Sequence, residues 1–248
     1  MKFTTNIRRM LLLAVALCSC AALRAQTPDN DLIFEAINNN ASPYYYPNLM
    51  MRYQSGESLT AADYHHLYYG FAFQQAYRPL QDNRGMIQVQ NIMSRLSIDT
   101  PSVSDIDQLI AACTEAMESD PFSPKLLNIM AYAYGTAGDK KREKEYMDHL
   151  NGILNCITLS GTGRKEREPM HIIMFSHALD YIAAKDWNHL KPRIISRTVE
   201  YIPFERSHDR LKGYYFDYSR IYWNKPEGYT FKRDRTWQIN NMKPREYR

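Results

Sequence analysis

Residues 102 to 150 constrain the fold most, because two helical patterns meet there at a break, Asp120-Pro121. Before the break, apolar residues recur at helical spacing. After it, Ser123 is a good N-cap, and Pro124 suits the first helical position, where its missing N–H costs nothing. Gly138-Asp139 then marks a turn before a charged helix. The pattern predicts a helical hairpin.

This hairpin resembles a tetratricopeptide repeat, a helix–turn–helix unit of 34 residues. The matching positions are Ala116, Pro121, Leu127, Met130, Ala131, Tyr134 and Gly138-Asp139. We expect Ala131 to be buried where the two helices cross. Glu143 departs from the repeat, which has a small residue at that position. A stable array needs three or more repeats. The sequence leaves two alternatives, a lone tetratricopeptide-like hairpin and a true array.

The first 25 residues have the features of a secretory signal peptide. A basic start precedes an apolar run that is too short to span a bilayer: Lys2, Arg8 and Arg9, then Met10 to Leu17. Ala25 is a small residue suited to signal peptidase, which would leave Gln26 as the new N-terminus. We therefore predict an exported protein, periplasmic or secreted.

A second reading of the same region is a lipoprotein anchored at Cys20. The stretch Leu17-Cys18-Ser19-Cys20 is a loose lipobox, with cysteine as an unusual neighbour. Beyond the signal, no apolar run approaches membrane length, so no membrane span is predicted.

Removal of the signal peptide changes the charge balance. Four of the 31 basic residues lie in residues 1–25, which leaves 27 bases against 27 acids. A net charge of zero argues against nucleic acid as a partner. The bases are unevenly placed, however, and residues 225–248 form a basic tail. Two cysteines also remain, Cys113 and Cys156, which either pair in an exported protein or stay as buried thiols.

An aromatic segment and an aromatic helix dominate the N-terminal part. Short helices are predicted at 31–39 and 48–54. Between them, Pro43-Tyr44-Tyr45-Tyr46-Pro47 is predicted to be extended because of its prolines. Thr60 can cap the next helix, with Asp63 completing a capping box. The helix from Ala61 to Tyr77 has rings on two faces, which predicts that it is sandwiched between the N-terminal helices and the hairpin.

The remaining elements suggest a small sheet at the C-terminal end. We predict helices over Gly85 to Leu96 and Met170 to Ala184, and strands over Ile153 to Leu159, Ile194 to Ile202 and Leu211 to Trp223. The last two strands are expected to be antiparallel, with residues 206–212 as their loop.

The chain is therefore predicted to be a single, mostly helical α+β domain over residues 26–248. It combines a tetratricopeptide-like helical hairpin with a small C-terminal antiparallel sheet. The helical part covers 26–151, a mixed part covers 152–224, and the tail covers 225–248.

Several short motifs resemble an uncharacterised family of exported proteins from the Bacteroides group. They are Pro43-Tyr44-Tyr45-Tyr46-Pro47, Arg52-Tyr53, Leu59-Thr60, Asp63-Tyr64, His66-Leu67-Tyr68-Tyr69-Gly70 and Gly213-Tyr214-Tyr215-Phe216-Asp217. The resemblance covers most of the mature chain. It implies export and a shared fold, and it brings no activity, ligand or catalytic residue.

Motifs that would indicate chemistry are weak. No histidine pair has metal-ligand spacing. Ser160-Gly161-Thr162-Gly163 lacks the lysine and the glycine spacing of a phosphate loop, and no Gly-x-Ser-x-Gly elbow occurs. The carboxylates lie in charged stretches, which does not indicate an acid–base pair. No motif supports Cys156 as a nucleophile. We therefore predict no catalytic residue, metal or cofactor, and an enzyme is less favoured than a binding protein.

Tyrosine is the residue type that exceeds its usual share, with 19 copies, and its rings serve both cores and binding surfaces. The candidate ligand-binding residues are Tyr44, Tyr45, Tyr46, Arg52 and Tyr53. The leading interpretation is an exported binding protein that holds a peptide or protein partner on a helical groove or aromatic surface. The alternative is a cell-envelope or dietary glycan-binding module or hydrolase.

Overall fold

A computed structural model describes residues 26–97 and 100–223. The predicted signal peptide and the basic tail lie outside these residues. The helices are α1 Asn30–Asn38, α2 Tyr46–Gln54, α3 Ala61–Gly70, α4 Arg84–Arg95, α5 Val103–Ser119, α6 Pro124–Thr136, α7 Lys140–Ser160 and α8 Phe175–Ala183. The strands are β1 Met170–His171, β2 Arg193–Ile194, β3 Val199–His208 and β4 Leu211–Asp217. The fold is a mostly helical α+β fold, as predicted.

Local sequence signals set most helix ends. The Ser123 side chain accepts from the Leu126 N–H, and Pro124 opens α6. Thr60 and Asp63 form the predicted capping box at the start of α3. Gly138 adopts a φ of +83° between α6 and α7, a conformation that glycine reaches without strain. The predicted helical hairpin is therefore confirmed as α6–α7, and Ala131 is buried within it.

Helix α3 is the centre of the helical part. It packs against α1 and α2 on one side and against α7 on another, as predicted for a sandwiched helix. Tyr69 of this helix donates its hydroxyl to the carbonyl of His171 in β1 at 3.0 Å. Beyond the helix, Tyr77 donates to the Ile173 carbonyl, just after β1, at 2.6 Å. These bonds join the helical part to the sheet. The predicted extension of this helix to Tyr77 is wrong, because it ends at Gly70 and a short 3₁₀ turn, Phe71–Phe73, follows.

The sheet has the order β1-β4-β3-β2. Strands β3 and β4 are antiparallel, as predicted, with Tyr201 opposite Tyr215. The predicted loop at 206–212 is too long, because β3 and β4 continue to a two-residue turn at Asp209 and Arg210, both with positive φ. Strand β1 pairs with β4 in parallel, so the sheet is mixed rather than purely antiparallel.

Two further predicted elements are wrong. Residues 153–159 belong to α7 instead of a strand. The buried side chains there, Ile153, Cys156 and Ile157, recur at helical spacing, and their tertiary packing overrides the β-branched composition. The predicted helix from Met170 also begins late, because Met170 and His171 pair with β4 before α8 starts at Phe175.

The buried side chains form two hydrophobic cores. The first core lies between α1–α3, α7, α8 and the sheet, and the second lies between α4, α5 and α6. Met117 and Tyr146 are half-buried and pack against both cores. Cys156 belongs to the first core and Cys113 to the second, and both are free thiols. Of the two alternatives for these cysteines, the structure has the buried thiols.

Candidate functional site

A cavity of about 460 Å³ lies where the two cores meet, between α2 and the helices α5, α6 and α7. We call it the aromatic groove. Its lining includes three tyrosines, one histidine, two glutamates and one arginine: Tyr53, Tyr134, Tyr146, His149, Glu118, Glu145 and Arg142. Met50 and Met117 add flexible apolar surface, which suits an adaptable binding site.

One wall of the groove is a stacked pair of rings from the α6–α7 hairpin. Tyr134 and Tyr146 lie with ring centroids 5.5 Å apart and planes 14° from parallel. Arg142 covers the outer ring, with its guanidinium 5.0 Å from the Tyr134 centroid and an N–H donated to the Tyr134 hydroxyl at 3.0 Å. Burial raises the pKa of Tyr146 to about 12, so its hydroxyl stays neutral. The wall is thus held in place before any ligand arrives.

The floor of the groove is equally fixed. Tyr53 is buried and donates its hydroxyl to the Pro121 carbonyl at 3.0 Å. Its ring lies 4.0 Å, centroid to centroid, from that of His149. His149 in turn shares a 2.9 Å hydrogen bond between Nδ1 and the Tyr64 hydroxyl. Burial lowers the pKa of His149, so the floor is uncharged at neutral pH.

A second cavity of about 640 Å³ lies beside the groove, and we call it the polar cavity. The two cavities share Gly56, Glu145 and His149 in their linings. Gly56 and Glu145 approach each other closely there, since a Cβ at Gly56 would lie 2.7 Å from the Glu145 carboxyl carbon. The polar cavity has charged side chains of both signs, among them Lys141, Lys144 and Asp148.

The structure places the predicted tyrosine segment away from the groove. Tyr46 is buried at the start of α2, beside Gly70 of α3. Tyr44 is half-buried and stacks on His66, with centroids 3.8 Å apart. Tyr45 is half-buried at the N-cap of α2. The predicted extended conformation is wrong, because Pro43 and Tyr44 lie in a turn in which the Tyr45 N–H donates to the Ser42 carbonyl. From Tyr46 onwards the chain is helical, since Pro47 fits the first turn of α2.

Arg52 has a local partner set. It pairs with Asp63 at 3.2 Å and with Glu57 at 2.8 Å. Burial raises the pKa of Asp63, but hydrogen bonds from Thr60 and Arg52 outweigh it and leave that pKa below its usual value. Arg52 therefore ties the α2–α3 loop to the start of α3. Of the five candidate residues, Tyr53 is the one that the structure brings into the groove.

The sequence predicts no binding role for the other groove residues. Tyr134 and Tyr146 lie on α6 and α7, and the turn at Gly138 between these helices lets their rings meet. An inward tyrosine on each side of a helical turn is the signal that could have found them. Glu118 and His149 have no such signal, because they reach the groove through tertiary packing.

A second group of polar side chains lies inside the protein. The Tyr68 hydroxyl is 2.8 Å from Nδ1 of His177, and Nε2 of His177 is 3.0 Å from an Asp120 carboxylate oxygen. Tyr68 and His177 are fully buried and line neither the groove nor the polar cavity. This chain of hydrogen bonds joins α3, the Asp120-Pro121 break and α8. Burial also raises the pKa of nearby Asp180 to about 6.

No group of three or more histidine, cysteine, aspartate or glutamate side chains is arranged to hold a metal ion in residues 26–97 and 100–223. In the same residues, no helix is long and apolar enough to cross a membrane.

Fold and groove together define a mostly helical α+β protein with an aromatic surface cleft. A family model described as "Domain of unknown function (DUF4919)" matches residues 31–226, so the chain belongs to that family. The expected membership of an uncharacterised family is thus confirmed. Neither a curated protein nor a solved structure matches the chain.

Proposed function

We propose that this chain is an exported binding protein that holds a peptide segment of a partner in the aromatic groove. The observation that carries the proposal is the stacked Tyr134–Tyr146 pair facing a fixed Tyr53–His149 floor. Rigid rings supply contact area at a low cost in side-chain entropy, which is why tyrosine is common in binding surfaces. An apolar or aromatic side chain of the partner would fill the space between them.

The charges around the groove favour a basic residue beside that apolar anchor. Arg142 is engaged by Tyr134 and lies 3.6 Å from Asp139, and Glu145 lies 3.6 Å from Lys141. Glu118 has no ion-pair partner among the described residues and stays exposed at the rim. A lysine or arginine of the ligand would complement the charge of Glu118. Such complementarity raises the association rate and the specificity more than the affinity.

Export is part of the same proposal. The backbone N–H of Gln26 donates to the Leu159 carbonyl at 2.6 Å. A cut after Ala25 would therefore leave a chain that is attached to the folded domain from its first residue, which supports cleavage there. A lipid anchor at Cys20 is the alternative, and it would put the same domain on a membrane surface. In both cases the protein acts outside the cytoplasm.

We also infer a tetratricopeptide-like geometry for α6–α7 and an origin in the Bacteroides group. The origin rests on the sequence motifs alone. For the hairpin, a close approach supports the inference, because a Cβ at Gly135 would lie 2.8 Å from the Glu143 carboxyl. The glycine on α6 thereby makes room for the large residue on α7 that departs from the repeat pattern.

Glycan binding is a second candidate, because three neighbouring aromatic rings lie apart from the groove and two of them are exposed. Phe34, Phe73 and Trp223 follow one another with centroid distances of 5.3 and 5.6 Å. Phe34 and Trp223 are exposed, and exposed rings of this kind can stack on sugar faces. A hydrolase would instead need the groove glutamates, Glu118 and Glu145, as its acid and base.

The test is selection of a phage-displayed random peptide library on the purified mature protein, followed by calorimetry with the enriched peptides. We expect peptides with an apolar residue next to a base. Glu118→Lys should weaken their binding at least about tenfold, as expected when a like charge replaces an attractive one. Glu115→Lys is the matched control, since Glu115 is exposed on the same helix and does not line the groove.

Two outcomes would count against the peptide proposal. One is selection that yields no peptide sensitive to Glu118→Lys or Tyr134→Ala. The other is a glycan array on which the protein binds and loses binding in Phe34→Ala, which would favour the glycan candidate.

A further inference from the structure

A short segment before β3 combines exposed apolar and basic side chains. Eleven large apolar residues are exposed in the described part of the chain, and three of them, Leu190, Ile194 and Ile195, lie within six residues. Scattered exposed apolar residues are normal, whereas a contiguous group marks an interaction surface. We call residues 190–197 the edge patch.

The basic residues of the edge patch are free to act on a partner. Lys191, Arg193 and Arg197 are exposed, and none of them forms an ion pair with another described residue. The segment contains no acidic residue. Three positive charges in eight residues stand out in a chain whose mature form is neutral.

The fold presents this segment at a sheet edge. Strand β2 is the outer strand next to β3, with Ile194 opposite Glu200. The N–H groups of Ile195 and Ser196 donate to the Val199 carbonyl at 2.9 and 3.1 Å, which closes a tight turn at the tip. Backbone hydrogen bonds therefore hold the tip, and the side chains of Ile194 and Ile195 are exposed there.

A loop with charges of both signs borders the tip. Lys165 and Arg167 line a surface cavity of about 510 Å³ together with Ser196 and Val199. Glu166 lies in the same lining, and both bases pair with Glu168 at 3.7 Å. This loop, residues 165–168, is therefore neutral overall, and the unpaired positive charge at the tip comes from Lys191, Arg193 and Arg197.

We propose that the edge patch docks the protein on the surface of an anionic phospholipid membrane. The isoleucines would enter the boundary between headgroups and acyl chains, and the bases would contact lipid phosphates. Charge complementarity and the exposed apolar tip select this occupant. A soluble acidic partner would use the bases alone and would leave the isoleucines in water. Docking is independent of the peptide groove, which lies between α2 and the helices α5, α6 and α7.

The test is co-sedimentation of the full mature chain with phosphatidylcholine vesicles that contain or lack phosphatidylglycerol. Binding should require phosphatidylglycerol and weaken at high ionic strength. Arg193→Gln with Arg197→Gln should lower the partition coefficient about 30-fold. Ile194→Ser with Ile195→Ser should lower it about tenfold. Ile87→Ser with Val103→Ser is the matched control, because these two residues are exposed on α4 and α5, away from the edge patch.

The pattern of losses distinguishes the alternatives. If only the arginine variant loses binding, the patch binds soluble polyanions and the membrane proposal is wrong. If neither variant differs from wild type, the basic tail or another surface binds the vesicles, and the proposal is also wrong. Insertion is measured separately by tryptophan fluorescence. Brominated lipid should quench the fluorescence of the Ile195→Trp variant more strongly than that of the Val103→Trp variant. Equal quenching of the two would overturn the proposed depth of the tip.

Discussion

Gly152 of α7 and Tyr64 of α3 touch where the two helices cross. A Cβ built at Gly152 would lie 2.3 Å from the Tyr64 ring, closer than any real contact. The same tyrosine holds His149 at the groove floor. The separation of these two helices and the position of the groove floor therefore depend on one glycine.

Gly152→Ala tests this crossing. Alanine favours a helix by about 1 kcal/mol, but the clash with Tyr64 should outweigh that gain. We expect a net loss of about 1–3 kcal/mol in the free energy of unfolding, as for other overpacked sites. Asn155→Ala on the exposed side of α7 is the control for urea denaturation. If Gly152→Ala proves as stable as wild type, the helices do not cross at this point.

The three adjacent tyrosines should respond differently to alanine. Tyr46 is buried against α3, so Tyr46→Ala should cost about 3 kcal/mol or more. Tyr44 and Tyr45 are half-buried and should cost clearly less. Thermal melts of the three variants, with a peptide or glycan capture assay on each, check both stability and binding. Equal losses for all three would mean that the segment is core throughout and has no role in binding.

Stability should fall between pH 6.5 and about 4 partly because of His65. Burial, with His66 and Arg220 adding to it, lowers the pKa of His65 to about 4. In the unfolded chain a histidine titrates near pH ~6.5, so the unfolded state takes up the proton first as pH falls. The contribution amounts to about 3 kcal/mol across that window.

His65→Asn should flatten the pH dependence of the unfolding free energy in this window. His149 contributes with the same sign, and Asp180, whose raised pKa makes protonation stabilising, contributes with the opposite sign. Both remain in the variant, so the difference from wild type isolates His65. Parallel curves for the two proteins would contradict the prediction.

Removal of the Asp120 carboxylate should expose the energetics of the internal hydrogen-bond chain. In Asp120→Ala the buried Nε2 of His177 loses its partner, which should cost about 1–3 kcal/mol. Ser119→Ala, at an exposed neighbour, is the control. A double-mutant cycle with His177→Phe should give a coupling energy of at least about 0.5 kcal/mol. Simple additivity would show that the two side chains do not interact.

Processing of the N-terminus is checked by intact-mass analysis of protein purified from its native host. Cleavage after Ala25 should give a chain that starts at Gln26, as glutamine or as its cyclised lactam. Both forms keep an N–H for the Leu159 carbonyl. A lipid-modified N-terminus at Cys20 would contradict signal peptidase cleavage at this site and would favour the lipoprotein.

Local chemistry made much of the fold predictable. Thr60, Ser123, Pro124 and Gly138 act within a few residues of themselves, so their caps and turns follow from the sequence. Residues 153–159 could not be placed in the same way, because a β-branched run suits a strand and a buried helix alike. The parallel pairing of β1 with β4 joins residues far apart in the chain, and no local pattern specifies it.

The candidate site was less predictable than the fold. Tyr53 was a candidate residue and lines the groove, but its contact with His149 spans almost the whole helical part of the chain. Tyr46 shares the aromatic character of Tyr53 and is a core residue. A tyrosine at a core and one at a cavity are alike in sequence, and only packing between distant helices distinguishes them.

Met117 and Tyr146 line the aromatic groove and pack against both hydrophobic cores. The groove therefore lies between two cores, and we expect each core to open separately in native-state fluctuations. A ligand in the groove would contact both cores and should slow the local opening of α4 and α5. Helix α4 contributes no residue to the groove. Amide exchange in α4 would then report occupancy of a site that it does not touch.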